Sequence, residues 1–194
     1  MLVACCYTNT NWIGVKIMNT IVVYKSKSGF VRNYAEWIAE ELSADIFEAS
    51  EVNINMLTKY NIVIYGGSLH AVGINGIKFI SKNIDKLKDK KIVVFASGAS
   101  PSSEKVIKEV LANNFSADQQ NYIKFFYLRG GFNYNKLPPF DKVLMTLLKW
   151  KIKSKKKQNK ELMPDEIGML AVLENPADFT KRENIDEIVA YVNS

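Results

Sequence analysis

The sequence predicts an α/β domain built on a doubly wound, five-stranded parallel sheet in the order 2-1-3-4-5, with helices on both faces. Three observations carry this prediction. Short apolar runs, Ile21-Val22-Val23, Ile62-Val63-Ile64 and Ile92-Val93-Val94, read as strands buried on both faces. Segments with helical spacing alternate with such runs, which is the pattern of strand–helix–strand units. Loops rich in Gly and Ser follow the first, third and fourth strands, at the edge where doubly wound sheets bind ligands. Right-handed crossovers put the reversal of strand order between the first and third strands.

Length and composition suit this architecture. A chain of 194 residues with 47% hydrophobic residues accommodates one domain with a sizeable core. No apolar run reaches the length of a membrane span. Cys5 and Cys6 are adjacent and form no metal cluster by themselves, so no metal is expected and a reduced, cytoplasmic setting is the default. Residues 1–17 hold a single basic residue, Lys16, and do not resemble a secretory signal. They read as a misassigned start or a loose extension ahead of Met18, with a lipidated Cys5-Cys6 pair as a further alternative. The domain is then 18–194. The net charge of +6 is uneven: seven lysines and no acid lie between Lys149 and Lys160, and the remainder is close to neutral.

In chain order, the first strand is about 20–25. A helix at 30–42 places Val31, Tyr34, Ala35, Ile38 and Leu42 on one side. Residues 44–49 make a short second strand near an edge, and 52–59 a polar connection with room for a helical turn. The third strand is 60–66, and 67–73 is its loop. Ile77, Ile80, Ile84 and Leu87 mark the next helix. The fourth strand is 91–96, its loop 97–101, and the following helix 102–112, capped by Ser102 or Ser103. The fifth strand is 123–128. About fifty residues then precede a last helix at 184–192. This insert, about 129–165, contains a helix-like run at 141–153. Phe140, Val143, Leu144 and Leu147 form a stripe there, and Met145, Leu148, Trp150 and Ile152 widen it beyond a normal core face.

The chemistry starts in Tyr24-Lys25-Ser26-Lys27-Ser28-Gly29-Phe30-Val31. A short turn from strand to helix gathers backbone N–H groups and hydroxyls at the positive end of a helix, which suits a phosphate. An ordinary loop with Ser28 as helix cap fits the stretch taken alone. A Walker loop requires Gly-Lys-Ser/Thr and a dinucleotide fingerprint three glycines, and both are missing. A phospho-acceptor domain requires acids where Lys25 and Gly66-Gly67 stand.

With those excluded, the stretch resembles the flavodoxin family, whose first loop, Ser/Thr-x-Thr-Gly-x-Thr, wraps the phosphate of FMN. Ser26, Ser28 and Gly29 match; Val31 stands where the family usually has a hydroxyl residue. The layout further resembles the branch containing menaquinone-dependent protoporphyrinogen dehydrogenase. The shared features are the start from Tyr24 to Arg32 with a basic Lys27, a small-residue second loop, and an aromatic-rich insert opening near Phe132-Asn133-Tyr134. The resemblance implies a flavodoxin-like fold and bound FMN. Ser26, Lys27, Ser28, Gly29, Phe30 and Val31 would hold its phosphate. Gly67, Ser68, Leu69, His70 and Ala71, with Ser97, Gly98, Ala99 and Ser100, would line its ring. Apart from His70 these loops lack the aromatic that stacks on the ring in typical flavodoxins. Arg129, Phe132 and Tyr134 would face a substrate or cover the ring.

The implied activity is electron transfer by an FMN-dependent oxidoreductase. Its finer form is oxidation of protoporphyrinogen IX with a quinone as acceptor; the alternative is a non-enzymatic electron carrier with a protein redox partner. A fold relative without flavin is the remaining rival. No catalytic residue is indicated. His70 reads either as a ring-edge contact or as a surface histidine, and Arg129 either as a contact to an acidic substrate or as solvated. The lysine run reads as a solvated face or, beside Trp150, as an interfacial helix over 140–160 at the inner face of the membrane. Nucleic acid is not an expected partner, since the rest of the chain is neutral.

Overall fold

The computed structural model describes residues 18–134, 137, 139–158, 161–175 and 177–194, so the expectation for residues 1–17 lies outside the described residues. The sheet is formed by β1 (Thr20–Lys25), β2 (Asp45–Glu48), β3 (Ile62–His70), β5 (Lys91–Gly98) and β6 (Ile123–Arg129), all paired in parallel in the order β2-β1-β3-β5-β6. Counting these five alone, the order is the expected 2-1-3-4-5. A two-residue strand, β4 (Gly73–Ile74), pairs antiparallel with the end of β3.

Alternation along β1 divides the core. Ile21 and Val23 face one layer, with Leu57, Tyr65, Ile80, Leu87, Val94 and Val110. Val22 faces the other, where α1 (Phe30–Leu42) and α8 (Asp186–Asn193) pack through Tyr34, Ile38, Ile188 and Val192. Successive strand residues point to opposite faces, so a strand apolar on both must be covered on both. Burying each such Ile or Val fully contributes about 1.5–3 kcal/mol.

Several elements differ from the sequence reading, each for a local reason. Residues 67–70 continue β3, because Leu69 and His70 find ladder partners in Ile74 and Gly73. The region 77–87 is not one helix but α3 (Lys78–Ser81) followed by a 3-10 turn at Ile84–Lys86. The Asn83 side chain donates to the Phe79 carbonyl at 2.8 Å and ends the first piece, yet Ile77, Ile80, Ile84 and Leu87 are all buried. The connection after β2 holds a turn of helix, α2 (Ile54–Leu57), capped by Asn53. Ser103, not Ser102, caps α4 (Glu104–Asn114). A short α5 (Ala117–Gln120) follows, opened by a Ser116–Gln119 capping box.

The insert is a helical hairpin of α6 (Pro139–Lys157) and α7 (Pro164–Glu174), joined by an ion pair of 2.5 Å between Lys155 and Glu166. A two-stranded ladder, β7 (Gly131–Phe132) with β8 (Ala177–Asp178), closes its base. The sequence reading missed α7, although Pro164 in its first turn and Glu166 bonding back to the Met163 N–H are start signals.

Candidate functional site at the switch point

The C-terminal sheet edge is stepped. The β1–β3 pairing ends at Lys25 and Gly67, the β3–β5 pairing reaches Ser68 and Ser97, and the β5–β6 pairing reaches Gly98 and Arg129. The turn from β1 into α1 occupies the notch. Gly29 has φ +96°, a region where a Cβ is disfavoured. The Ser26 hydroxyl accepts from the Gly29 N–H at 3.1 Å, and the Gly29 carbonyl accepts from the Asn33 N–H at 3.0 Å. Gly29 is therefore the helix cap, and the Ser28 cap is not formed; no side chain caps α1. Among the described residues the N–H groups of Phe30, Val31 and Arg32 have no acceptor. This is the arrangement that receives an anion at a helix start.

Phe30 and Val31 offer backbone only. Val31 is buried in the core, and the Phe30 ring lies against Gly131, where an added Cβ would sit 2.6 Å from it. A cavity of about 410 Å³ opens beside the turn. Lys27, Ser68 and His70, all expected in the site, line it, and so do Asn75, Gly76 and Lys78, which the sequence reading did not select. Their signal was Asn75-Gly76, a turn dipeptide just past the third strand. Gly76 has φ +78°, and a Cβ there would strike the Tyr65 hydroxyl, which donates to the Asn75 carbonyl. The Ser68 hydroxyl is buried and has no hydrogen-bond partner among the described residues.

The other expected residues are placed differently. Gly67 is pressed against Ile74 and the Asn75 backbone, and Leu69 lies against Gly98. Ala71 makes the tight β3–β4 connection at φ +52°. Ser97, Gly98, Ala99 and Ser100 do not line the cavity. Ser97 is buried against Gly130, and the Tyr127 hydroxyl fastens this loop by donating to the Ser100 carbonyl at 2.8 Å. Burial raises the Tyr127 pKa, so the phenol stays a donor. Arg129 stacks on Phe179 at 3.7 Å and lines a separate cleft with Asn184. Phe132 is tied into the β7–β8 ladder, and the Tyr134 hydroxyl bonds to Thr146 at 2.7 Å. The three expected substrate residues are thus not gathered at the cavity: Phe132 serves the β7–β8 ladder, Tyr134 the α6 side of the hairpin, and Arg129 a stack on Phe179.

The insert instead sends Asp141 to the site. Its carboxylate lies 3.3 Å from the Lys27 ammonium and 3.6 Å from His70 Nε2, with its side chain only 12% exposed. The sequence signal was an acid in the first turn of a helix otherwise apolar and basic. The first turn of α6 therefore crosses the switch point. Among the described residues that line the cavity, only His70 carries a ring.

The family pattern described as Flavodoxin domain matches residues 21–160, from β1 through α6. The chain belongs to the flavodoxin domain family. Within this flavodoxin domain the match takes in the β1–α1 turn, the β3–β4 hairpin and Asp141; α7, β8 and α8 lie beyond it. No curated protein matches the chain. Among solved structures, it is similar to a WrbA-like flavodoxin from Agrobacterium tumefaciens at 24% identity, covering 50% of this chain and 69% of that one, with TM-score 0.40. It is also similar to the two-electron reduced flavodoxin of Megasphaera elsdenii, at 15% identity, 62% and 88% coverage and TM-score 0.43. A flavoprotein in complex with FMN from Lactobacillus acidophilus aligns at 14% identity, 58% and 92% coverage and TM-score 0.38.

Proposed function

We propose that this flavodoxin domain binds FMN at the switch point and works as an electron-transferring flavoprotein. The observation that carries the reading is the donor set at the β1–α1 turn beside the cavity. Lys27 and Ser68 line a space of about 410 Å³ that opens beside this turn, a size usual for small-ligand sites, and among the described residues the first-turn N–H groups of α1 have no acceptor and the Ser68 hydroxyl no partner. These residues fit a phosphate-bearing ligand. A single anion site without a pyrophosphate fingerprint favours FMN over FAD. When bound, the flavin supplies the redox chemistry. The chain's part is to hold the phosphate on the α1 N-terminus, to satisfy a polar edge with Ser68, and to limit water under the first turn of α6.

The finer reading is oxidation of protoporphyrinogen IX, with a quinone taking up the electrons, in the cytoplasm. Its support is the family resemblance and an insert that crosses the site while, among the described residues, no Phe, Tyr or Trp lines the cavity to cover a flavin ring. The first test is titration of flavin-free protein with FMN, read by quenching of flavin fluorescence. Ser68→Ala should lower affinity about fivefold, the effect of one hydrogen bond, while leaving the flavin-free fold as stable as before, because the hydroxyl has no partner there. No quenching at micromolar FMN would overturn the reading. Anaerobic mixing with the porphyrinogen, followed by quinone, tests the substrate. Flavin that fails to bleach, yet is reduced rapidly by a flavodoxin reductase, identifies a carrier instead.

A further inference from the structure

We propose that the outer face of α6 docks this protein on an anionic lipid surface. Phe140, Val143, Leu144, Leu147 and Trp150 are all exposed, Phe140 at 79% and Trp150 at 74%. At 3.6 residues per turn they share one side of the helix. Asp141 and Ile152, the buried residues of α6, fall on the opposite side. The helix thus presents its large apolar side chains outward, the reverse of a core helix. Met163 and Ile167 on the adjoining α7 side of the hairpin are exposed as well. An exposed apolar stripe along one side of a helix marks a site that something covers.

The charge on the same helix indicates what covers it. Lys151, Lys156 and Lys157 are exposed. The one acid of α6, Asp141, is turned inward to Lys27 and His70. Phe and Trp on one side with lysines along the length describe a helix lying in the headgroup region of a bilayer carrying negative charge. The 19 residues of α6 extend about 29 Å along that plane. Among the described residues no helix is long and apolar enough to cross a membrane, which agrees with lying on it. Since the first turn of α6 also reaches the switch point, the cavity is held close to the lipid, where an apolar electron acceptor would dissolve. The docking itself does not depend on flavin, so its test is separate from that of the proposed function.

The experiment is co-sedimentation of the full chain with vesicles of phosphatidylcholine, alone or mixed with phosphatidylglycerol, at low and high salt. Brominated lipid serves as a quencher of tryptophan fluorescence. Binding should be at least about tenfold tighter with phosphatidylglycerol and should weaken at high salt, as expected for several lysines near a charged surface. Brominated lipid should quench the wild type, and the quenching should be lost in Trp150→Phe. A variant carrying Phe140→Ser, Leu147→Ser and Trp150→Ser should lose vesicle binding while keeping the wild-type circular dichroism and melting temperature, since these side chains are exposed. Lys151→Glu with Lys156→Glu should abolish the lipid preference. The proposal is overturned by absence of binding, by equal binding to both vesicle types, by binding that survives the serine variant, or by self-association that buries Trp150 without lipid.

Discussion

The carboxylate of Asp141 lies 3.3 Å from the ammonium of Lys27, across 114 positions of sequence. One residue belongs to the insert, the other to the turn read as the phosphate site. The contact puts a negative charge beside the place where a phosphate would bind, so the insert and the ligand compete for Lys27. Asp141→Asn should tighten FMN binding about twofold to fivefold, the range for a partly exposed ion pair. Fluorescence titration at low salt checks this. Weaker binding in the variant would show that Asp141 holds Lys27 in place for the ligand.

Gly29 tests the turn through its backbone. Among the described residues nothing lies within 4 Å of where its Cβ would be, so substitution acts through φ +96° rather than through crowding. Gly29→Ala should cost about 1–2 kcal/mol, and Gly29→Asn less, because Asn tolerates left-handed backbone better. Urea unfolding of the flavin-free protein measures both. Equal losses in the two variants would argue against strain as the cause.

Gly66 tests the sheet beneath the site. A Cβ there would lie 2.1 Å from Phe95 Cζ. Gly66→Ala should therefore destabilise by about 1–3 kcal/mol, as overpacking does. Adding Phe95→Leu should recover part of that loss, and a double-mutant cycle gives the coupling. Additive losses would mean that the alanine is accommodated by moving the strand.

Arg129 tests the boundary of the site. Its guanidinium rests on Phe179, and its backbone carbonyl accepts from the Tyr34 hydroxyl at 2.6 Å, a bond that a truncated side chain keeps. Arg129→Ala should leave FMN affinity and the Michaelis constant for substrate unchanged and cost about 0.5–1 kcal/mol of stability, the worth of an exposed cation–aromatic contact. A large rise in the Michaelis constant would return Arg129 to the substrate site.

Sequence alone determined the sheet order and the Ser/Gly turn from β1 into α1. Both follow from local rules: runs such as Ile62-Val63-Ile64 must be covered on both faces, and a turn leading into a helix N-terminus exposes N–H groups wherever it is placed. Lys27, Ser68 and His70 could be selected because the chain visits the ligand edge at fixed points of its pattern. Tertiary structure decided the rest. Whether 67–70 is loop or strand depended on partners at Gly73 and Ile74, and the loop 97–100 was drawn from the cavity by Tyr127, on the neighbouring strand. The stripe of α6 carried the periodicity of a core helix and was found facing outward, because periodicity reports that one side is apolar without saying which side is covered. Asp141 became part of the site only when the insert folded back over it: a contact spanning 114 positions is set by chain topology and leaves no periodic trace in the sequence.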